Sequence, residues 1–337
     1  MKVGVFLGSQ LRSEDDPVRR AGEYVEQVKL MVQAGYDSVW LGQHYVTAPE
    51  QYLQPMPLMG RIAADAGEMI LGTNIILLPL HHPVEIAEQF ATLDALTGGR
   101  IVLGVGLGYR EEEFAAFGIP IKTRVGQMTE SIEIIKRLWT EDALSFEGKY
   151  FRLDKISIRP RPVQKPRPPI WVGAVSEPAI RRAAVHGDAW MAAPQDSVAK
   201  MKELIALYRQ ARTEAGLPPA AEFGKILDMY VAPTREQAWR DGAPAIAEKY
   251  RSYAAWGLGG GQSEGQSLDT TIEELARNRF VIGDPDDSIQ EFRRHRDELG
   301  VTHLMIRVQF PGMTHRQVMD CLRLVGERVL PALRGDG

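Results

Sequence analysis

At 337 residues, 44% of them apolar and 25% charged, the chain can bury a large core, which excludes disordered and fibrous classes. Its 40 basic and 44 acidic side chains leave a net charge of −4 with both signs interspersed, so no basic footprint argues for nucleic acid or for a membrane surface. One cysteine, Cys321, excludes a disulfide framework within the chain, and with no apolar run near the ~18 residues of a spanning helix and no charged-then-apolar leader, a soluble cytoplasmic protein is expected.

Val3–Leu7 opens the chain as a strand, and Tyr24, Val28 and Met31 with Val25 and Val32 then trace a helical stripe that Gly35 stops. Ser38–Leu41 reads as the second strand. Ile70–Leu78 reads as the third, apolar on both faces as a covered parallel strand must be, with Pro79 closing it because proline cannot extend the ladder. Pro83 suits the first turn of a helix carrying Ile86, Phe90 and Leu93, and Gly98-Gly99 supplies a left-handed stop. The fourth strand, Ile101–Val105, runs into Gly106-Leu107-Gly108. Ile170–Val172, Ala189–Met191, Ile226–Val231 and His303–Val308 follow as strand candidates. Asp284-Pro285-Asp286-Asp287 opens a helix that Gly300 ends, and Thr314 with Gln317 has capping-box spacing for the final helix, where Cys321 sits among Val318, Leu322, Val325 and Val329 as a core thiol.

Eight strands alternating with helices is the count of a (β/α)8 barrel, an α/β fold of roughly 250 residues, so roughly 85 remain for insertions. Two segments take them. Residues 144–169 read as a hairpin around Gly148 followed by a proline-dense extended connection, and residues 256–279 contain Gly257–Gly265, where no periodicity survives and a mobile lid is expected. Neither is a domain boundary, because the strand count closes only if both sides belong to one barrel. Residues 1–337 are therefore expected to form a single domain.

Ligands of α/β barrels bind at the C-terminal strand ends, so residues placed there are the candidates. His44 follows the second strand directly; on its own it reads first as a packing histidine, and its company at the mouth makes it a candidate. Gly106 and Gly108, before Tyr109, remove side chains where a flat ligand would approach backbone, or simply make a tight turn. After Gly173 the fifth strand leads to Ser176 at a helix start, either a simple N-cap or an anion site made of unpaired N–H groups. Arg307 and Gln309 alternate with apolar neighbours on the eighth strand and point inward, so an ion pair or a ligand contact is expected there. His81-His82 lacks metal-ligand spacing, and no metal is expected. Neither a Gly-x-Ser-x-Gly elbow nor a phosphate-binding Walker loop is present, which argues against common hydrolases and nucleotide triphosphatases.

Further pieces fall in a fixed order along the chain: Gly35-Tyr36-Asp37-Ser38-Val39-Trp40-Leu41 with His44, Leu71-Gly72-Thr73 through Leu78-Pro79 and His82-Pro83, Asp94 to Arg100, Gly104 to Tyr109 with Glu113-Phe114, Ile170 to Gly173, Gly187-Asp188-Ala189-Trp190, and Val329 to Leu333. The ordered set resembles the luciferase-like flavin-dependent oxidoreductases, the family of bacterial luciferase and of two-component monooxygenases. The resemblance implies a barrel that binds flavin at its C-terminal face, with a non-proline cis peptide at Asn74-Ile75 whose backbone supports the ring. It further implies that Gly106, Gly108 and Tyr109 border the ring or ribityl chain, that Gly173 and Ser176 hold the phosphate, and that His44 acts as a base at the reacting edge. Arg307 and Gln309 would then face substrate. Bacterial luciferase has a phosphate-binding arginine where this chain has Leu107, so another cation is required. Dehydrogenases of sugar phosphates that use the deazaflavin F420 carry a glutamate where Tyr109 stands here, which favours FMN. The expected activity is oxygenation of a small, fairly apolar organic molecule by reduced FMN and O2, with a separate flavin reductase as partner and a homodimer as assembly. F420-dependent hydride transfer on the same barrel and a flavin-binding protein without turnover are the alternatives.

Overall fold

In a computed structural model that describes residues 1–8, 10–255, 271–277 and 279–335, eight parallel strands close into a barrel. They are β1 Lys2–Leu7, β2 Ser38–Leu41, β3 Ile70–Thr73, β4 Ile101–Gly106, β5 Ile170–Gly173, β6 Ala189–Ala192, β7 Phe223–Val231 and β8 His303–Arg307. Each pairs with its sequence neighbour, and β8 returns to β1 with Lys2 opposite His303. Each of the eight expected strands has a counterpart, the third in shortened form.

Closure follows from what the strands turn inward. Phe6, Trp40, Val102, Trp171, Met191 and Met305 fill the barrel interior. The Trp40 and Trp171 rings stack at 5.1 Å, and the His303 ring meets Trp40 edge-on at 5.3 Å. A buried aromatic side chain of this size contributes on the order of 5 kcal/mol, so the barrel interior is a packed core rather than a pore. Trp40 reaches its place because β3 carries glycine opposite it: a Cβ on Gly72 would lie 2.2 Å from the indole. Two polar edges of the plug meet, since Trp40 Nε1 donates to Ser38 Oγ at 2.7 Å and Ser38 Oγ lies 2.6 Å from His303 Nε2. Burial, with Lys2 nearby, pushes the His303 pKa down to about 3, so this plug carries no charge at neutral pH.

Helix ends follow the expected chemistry. Gly35 and Gly300 adopt φ of 79° and 67° as left-handed stops, and both Asp284/Asp287 and Thr314/Gln317 close capping boxes. The first insertion is a hairpin, Leu144–Glu147 against Arg152–Ile156, followed by a proline-rich run with cis bonds at Arg159-Pro160 and Lys165-Pro166. A 21-residue helix, Arg235–Ala255, leads toward the second insertion. The expected lid at 257–265 lies outside the described residues, and Val281–Gly283 adds a short strand beside β7. No helix among the described residues is long and apolar enough to cross a membrane.

One element departs from expectation. The single strand expected over Ile70–Leu78 is broken: β3 stops at Thr73, the Asn74-Ile75 peptide is cis, Ile76–Leu77 forms a separate short strand beside β4, and Leu78–Leu80 is a 3-10 turn with Pro79 inside it. Ile76, Leu77 and Leu78 are all buried, which is the property an apolar run reports. Burial on both faces is the same for a strand and for a buried turn, so hydrophobicity alone does not locate the break.

Candidate active site

The C-terminal strand ends enclose a cavity of about 350 Å3, lined largely by apolar side chains that include Phe6, Ile75, Leu77, Met191 and Ile226. Nine of the ten candidate residues, His44, Asn74, Ile75, Gly106, Gly108, Tyr109, Gly173, Ser176 and Arg307, line it together. Gln309 does not. It lies past the end of β8 and borders an adjoining recess of about 20 Å3 shared with Arg307, Lys249 and Phe310.

His44 is held by elements far apart in sequence. Its Nδ1 sits 2.9 Å from Glu113 Oε1, which also accepts from the Tyr45 backbone N–H at 3.0 Å and lies 3.5 Å from Arg110. Glu113 is wholly buried on the short helix Glu111–Ala116 that follows β4. A carboxylate only accepts, so the bond places the imidazole proton on Nδ1 and leaves Nε2 as the basic nitrogen. The strand end is tied down further: Gln54 donates to the His44 carbonyl at 2.8 Å, and Gln43 accepts from the Leu77 N–H at 3.0 Å, joining β2 to the segment beyond the cis peptide. Tyr52 and Tyr109 flank the imidazole edge-on at 5.4 and 6.0 Å.

The glycines shape the cavity wall through a neighbour. A Cβ on Gly106 would lie 2.5 Å from Ile75 Cδ1, and one on Gly173 would lie 2.9 Å from Ile75 Cγ2, so both are cut back to seat the Ile75 side chain. Gly108 is required by its backbone, with φ of 74°. Ile75, directly after the cis peptide, thereby becomes a fixed part of the cavity wall.

At another part of the wall Ser176 stands at the N-cap of the helix Glu177–His186, yet its side chain makes no capping hydrogen bond. The plain N-cap role is therefore not what its hydroxyl performs. Glu177 is exposed and does not line the cavity. Arg124 does, and its buried Nε has no hydrogen-bond partner. Burial and Arg124 together push the pKa of Arg182, on the Ser176 helix, below its ordinary value, and no carboxylate among the described residues pairs with either arginine. The Arg124 guanidinium and a helix start thus concentrate positive potential beside a hydroxyl that makes no capping bond, a suitable seat for a phosphate. Sequence reasoning missed Arg124, which opens the helix after the fourth strand's excursion and has no pattern of its own; only the need for some cation in place of Leu107 pointed toward it.

Asp228, Lys249 and Tyr250 were also missed. Arg307 does make the ion pair that was one of its two expected roles: its Nε and Nη2 reach the Asp228 carboxylate at 2.7 and 3.0 Å. It lines the cavity as well.

The sequence profile of the luciferase-like monooxygenases matches residues 1–303 of this chain. An F420-dependent glucose-6-phosphate dehydrogenase from Nakamurella multipartita is 31% identical over 89% of each chain. Among solved structures, a monooxygenase from Streptomyces bottropensis superposes with a TM-score of 0.85 at 23% identity, covering 99% of this chain and 100% of its own. The oxygenating constituent of 3,6-diketocamphane monooxygenase from Pseudomonas putida, in complex with FMN, superposes at 0.84 with 20% identity over 98% of both chains.

Proposed function

The chain belongs to the luciferase-like monooxygenase family, and we propose that this oxidoreductase binds reduced FMN at the barrel mouth and uses O2 to oxygenate a small organic substrate. The observation that carries this reading is the presence, in one cavity, of a phosphate-compatible site at Arg124 and Ser176 and of a buried-carboxylate-oriented histidine at His44. FMN supplies the electrons and the reaction with O2. The chain's own share is binding and proton handling. Arg124, Ser176 and the helix N–H groups would hold the phosphate, Ile75 and Gly108 would border the ring system, and His44, fixed by Glu113, would accept or return a proton at Nε2. The apolar remainder of the wall excludes water. Reduced flavin would come from a separate reductase, as the description of the Pseudomonas relative as an oxygenating constituent suggests for that protein.

A second reading, hydride transfer by F420, is favoured by the 31% identical dehydrogenase. Titration of the purified protein with reduced FMN and with F420, followed by O2 consumption, separates the two. Tight binding of F420 with none of reduced FMN replaces the first reading by the second, and binding of neither removes both.

Two variants test the site itself. Loss of one charge-assisted hydrogen-bond donor costs about 1.5–3 kcal/mol, so Arg124→Ala is expected to weaken FMN binding by roughly 10–100-fold while leaving riboflavin, which lacks the phosphate, at its wild-type affinity. Equal losses for both ligands would place the phosphate elsewhere. Gly106→Val drives a side chain into Ile75 and is expected to abolish cofactor binding with the circular-dichroism spectrum retained. Full affinity in that variant would show that the Ile75 wall does not border the ring.

A further inference from the structure

A second cavity, of about 320 Å3, opens at the other end of the barrel. Its walls place it there: Glu222 directly precedes β7, Gly300 and Thr302 precede β8, and the helix Val198–Glu214 contributes its last turns. Packed interiors rarely leave voids larger than a water molecule, whereas this one reaches the roughly 300–1,000 Å3 range of small-molecule sites.

Tyr208 and Arg212 lie one turn apart on that helix, so they share the face turned to this space. Both are buried. Arg212 Nε donates to the Pro218 carbonyl at 2.8 Å and Nη1 to those of Ala184 and Gly187 at 3.0 and 3.3 Å, which fixes the guanidinium. All three acceptors are neutral, and among the described residues no carboxylate pairs with it. The Tyr208 hydroxyl is buried with no hydrogen-bond partner. Burial, against the pull of Arg212, raises its pKa, so it stays a donor at neutral pH. A buried donor left in that state destabilises the fold until something accepts from it. Glu222, the acid on this wall, is already engaged: it accepts from Thr302 Oγ1 at 2.6 Å and pairs with Lys2 at 3.2 Å. The rest of the wall is mostly apolar and partly flat. The Trp190 ring lies 5.6 Å from that of Tyr208 and 5.2 Å from that of Phe223, at interplanar angles of 32° and 34°, and Ile205 and Leu217 line the space with them.

We propose that this cavity is a second ligand site and that it takes a planar aromatic carboxylate. The guanidinium carbon lies 5.9 Å from the Tyr208 ring centre, so the two donors are near neighbours. The carboxylate would give Tyr208 its missing acceptor and Arg212 a counter-charge, while the aromatic body packs against Trp190 and Phe223. The site lies apart from the mouth and stands whether or not FMN binds there.

Calorimetric titration of the full-length protein with naphthoate and with naphthamide, alike in shape and different in charge, tests the site. One-to-one binding of naphthoate, at least about tenfold tighter than that of naphthamide, is expected. Arg212 also holds three carbonyls, so Tyr208 is the residue to change. Tyr208→Phe removes only the hydroxyl and should weaken naphthoate by roughly tenfold or more, yet its urea midpoint should not fall, because the hydroxyl bonds nothing in the free protein. Ala220→Trp should fill the cavity and abolish binding, and Gly106→Val, at the mouth, should leave it unchanged. No saturable binding of naphthoate, equal affinity for the two ligands, unchanged affinity in Tyr208→Phe, or lost binding in Gly106→Val overturns the inference.

Discussion

Asp228→Asn should destabilise the protein by roughly 3–5 kcal/mol, because it removes the buried carboxylate to which Arg307, Lys249 and Tyr250 all donate. Urea unfolding measures it. A shift equivalent to less than about 1 kcal/mol would mean that the cluster is hydrated and worth no more than a surface pair. Adding Lys249→Met to Asp228→Asn should recover part of the loss, since one of the two repelling charges is then gone; additive losses would show that the groups do not interact. The pH dependence has a definite sign. Burial alone would raise the Asp228 pKa, but Arg307 and Lys249 outweigh it and hold the group well below its ordinary 3.8. A carboxyl with a depressed folded-state pKa contributes stability that is fully present above the unfolded value and is lost as pH falls through the folded one. Acidification below about pH 4 should therefore erode wild-type stability, while Asp228→Asn, already lacking the group, should show a flatter acid limb.

His44→Ala should lower turnover by about 10²–10⁴-fold, the usual contribution of a positioned acid–base group, equivalent to roughly 3–5 kcal/mol in the barrier. The fold should survive, since the side chain is partly open to the cavity and its removal leaves the plug of Trp40, Trp171 and His303 intact. Glu113→Gln offers a sharper test of positioning. A glutamine keeps the size of the side chain but no longer dictates which imidazole nitrogen carries the proton, so turnover should fall by less than in His44→Ala and its pH profile should move. Near-normal turnover in His44→Ala would reduce the histidine to a packing residue, and an unchanged pH profile in Glu113→Gln would detach the carboxylate from the chemistry.

The strands and the cavity glycines were legible because each leaves a local mark. Hydrophobic runs between helical stripes mark the eight strands, and residues just past a strand end, such as His44, Gly108 and Ser176, sit at the mouth by connectivity alone. The same locality misled at Ile70–Leu78, where a buried turn and a buried strand share one composition. It also gave no sign that Gly106 and Gly173 leave room for Ile75, a residue that neighbours neither in sequence.

Sequence by itself determined the barrel, its direction and the family pattern, since periodicity and strand count are properties of consecutive residues. Tertiary structure alone decided which charges meet. His44 and Glu113 lie 69 positions apart, Asp228 and Arg307 79 apart, and Arg124 joins Ser176 only at the cavity. Each of these pairs spans different strands or their connections, so the partners come within hydrogen-bond or cavity range only once the barrel has closed. Electrostatic pairing depends on distance through space and on local burial, and neither quantity exists until closure sets them.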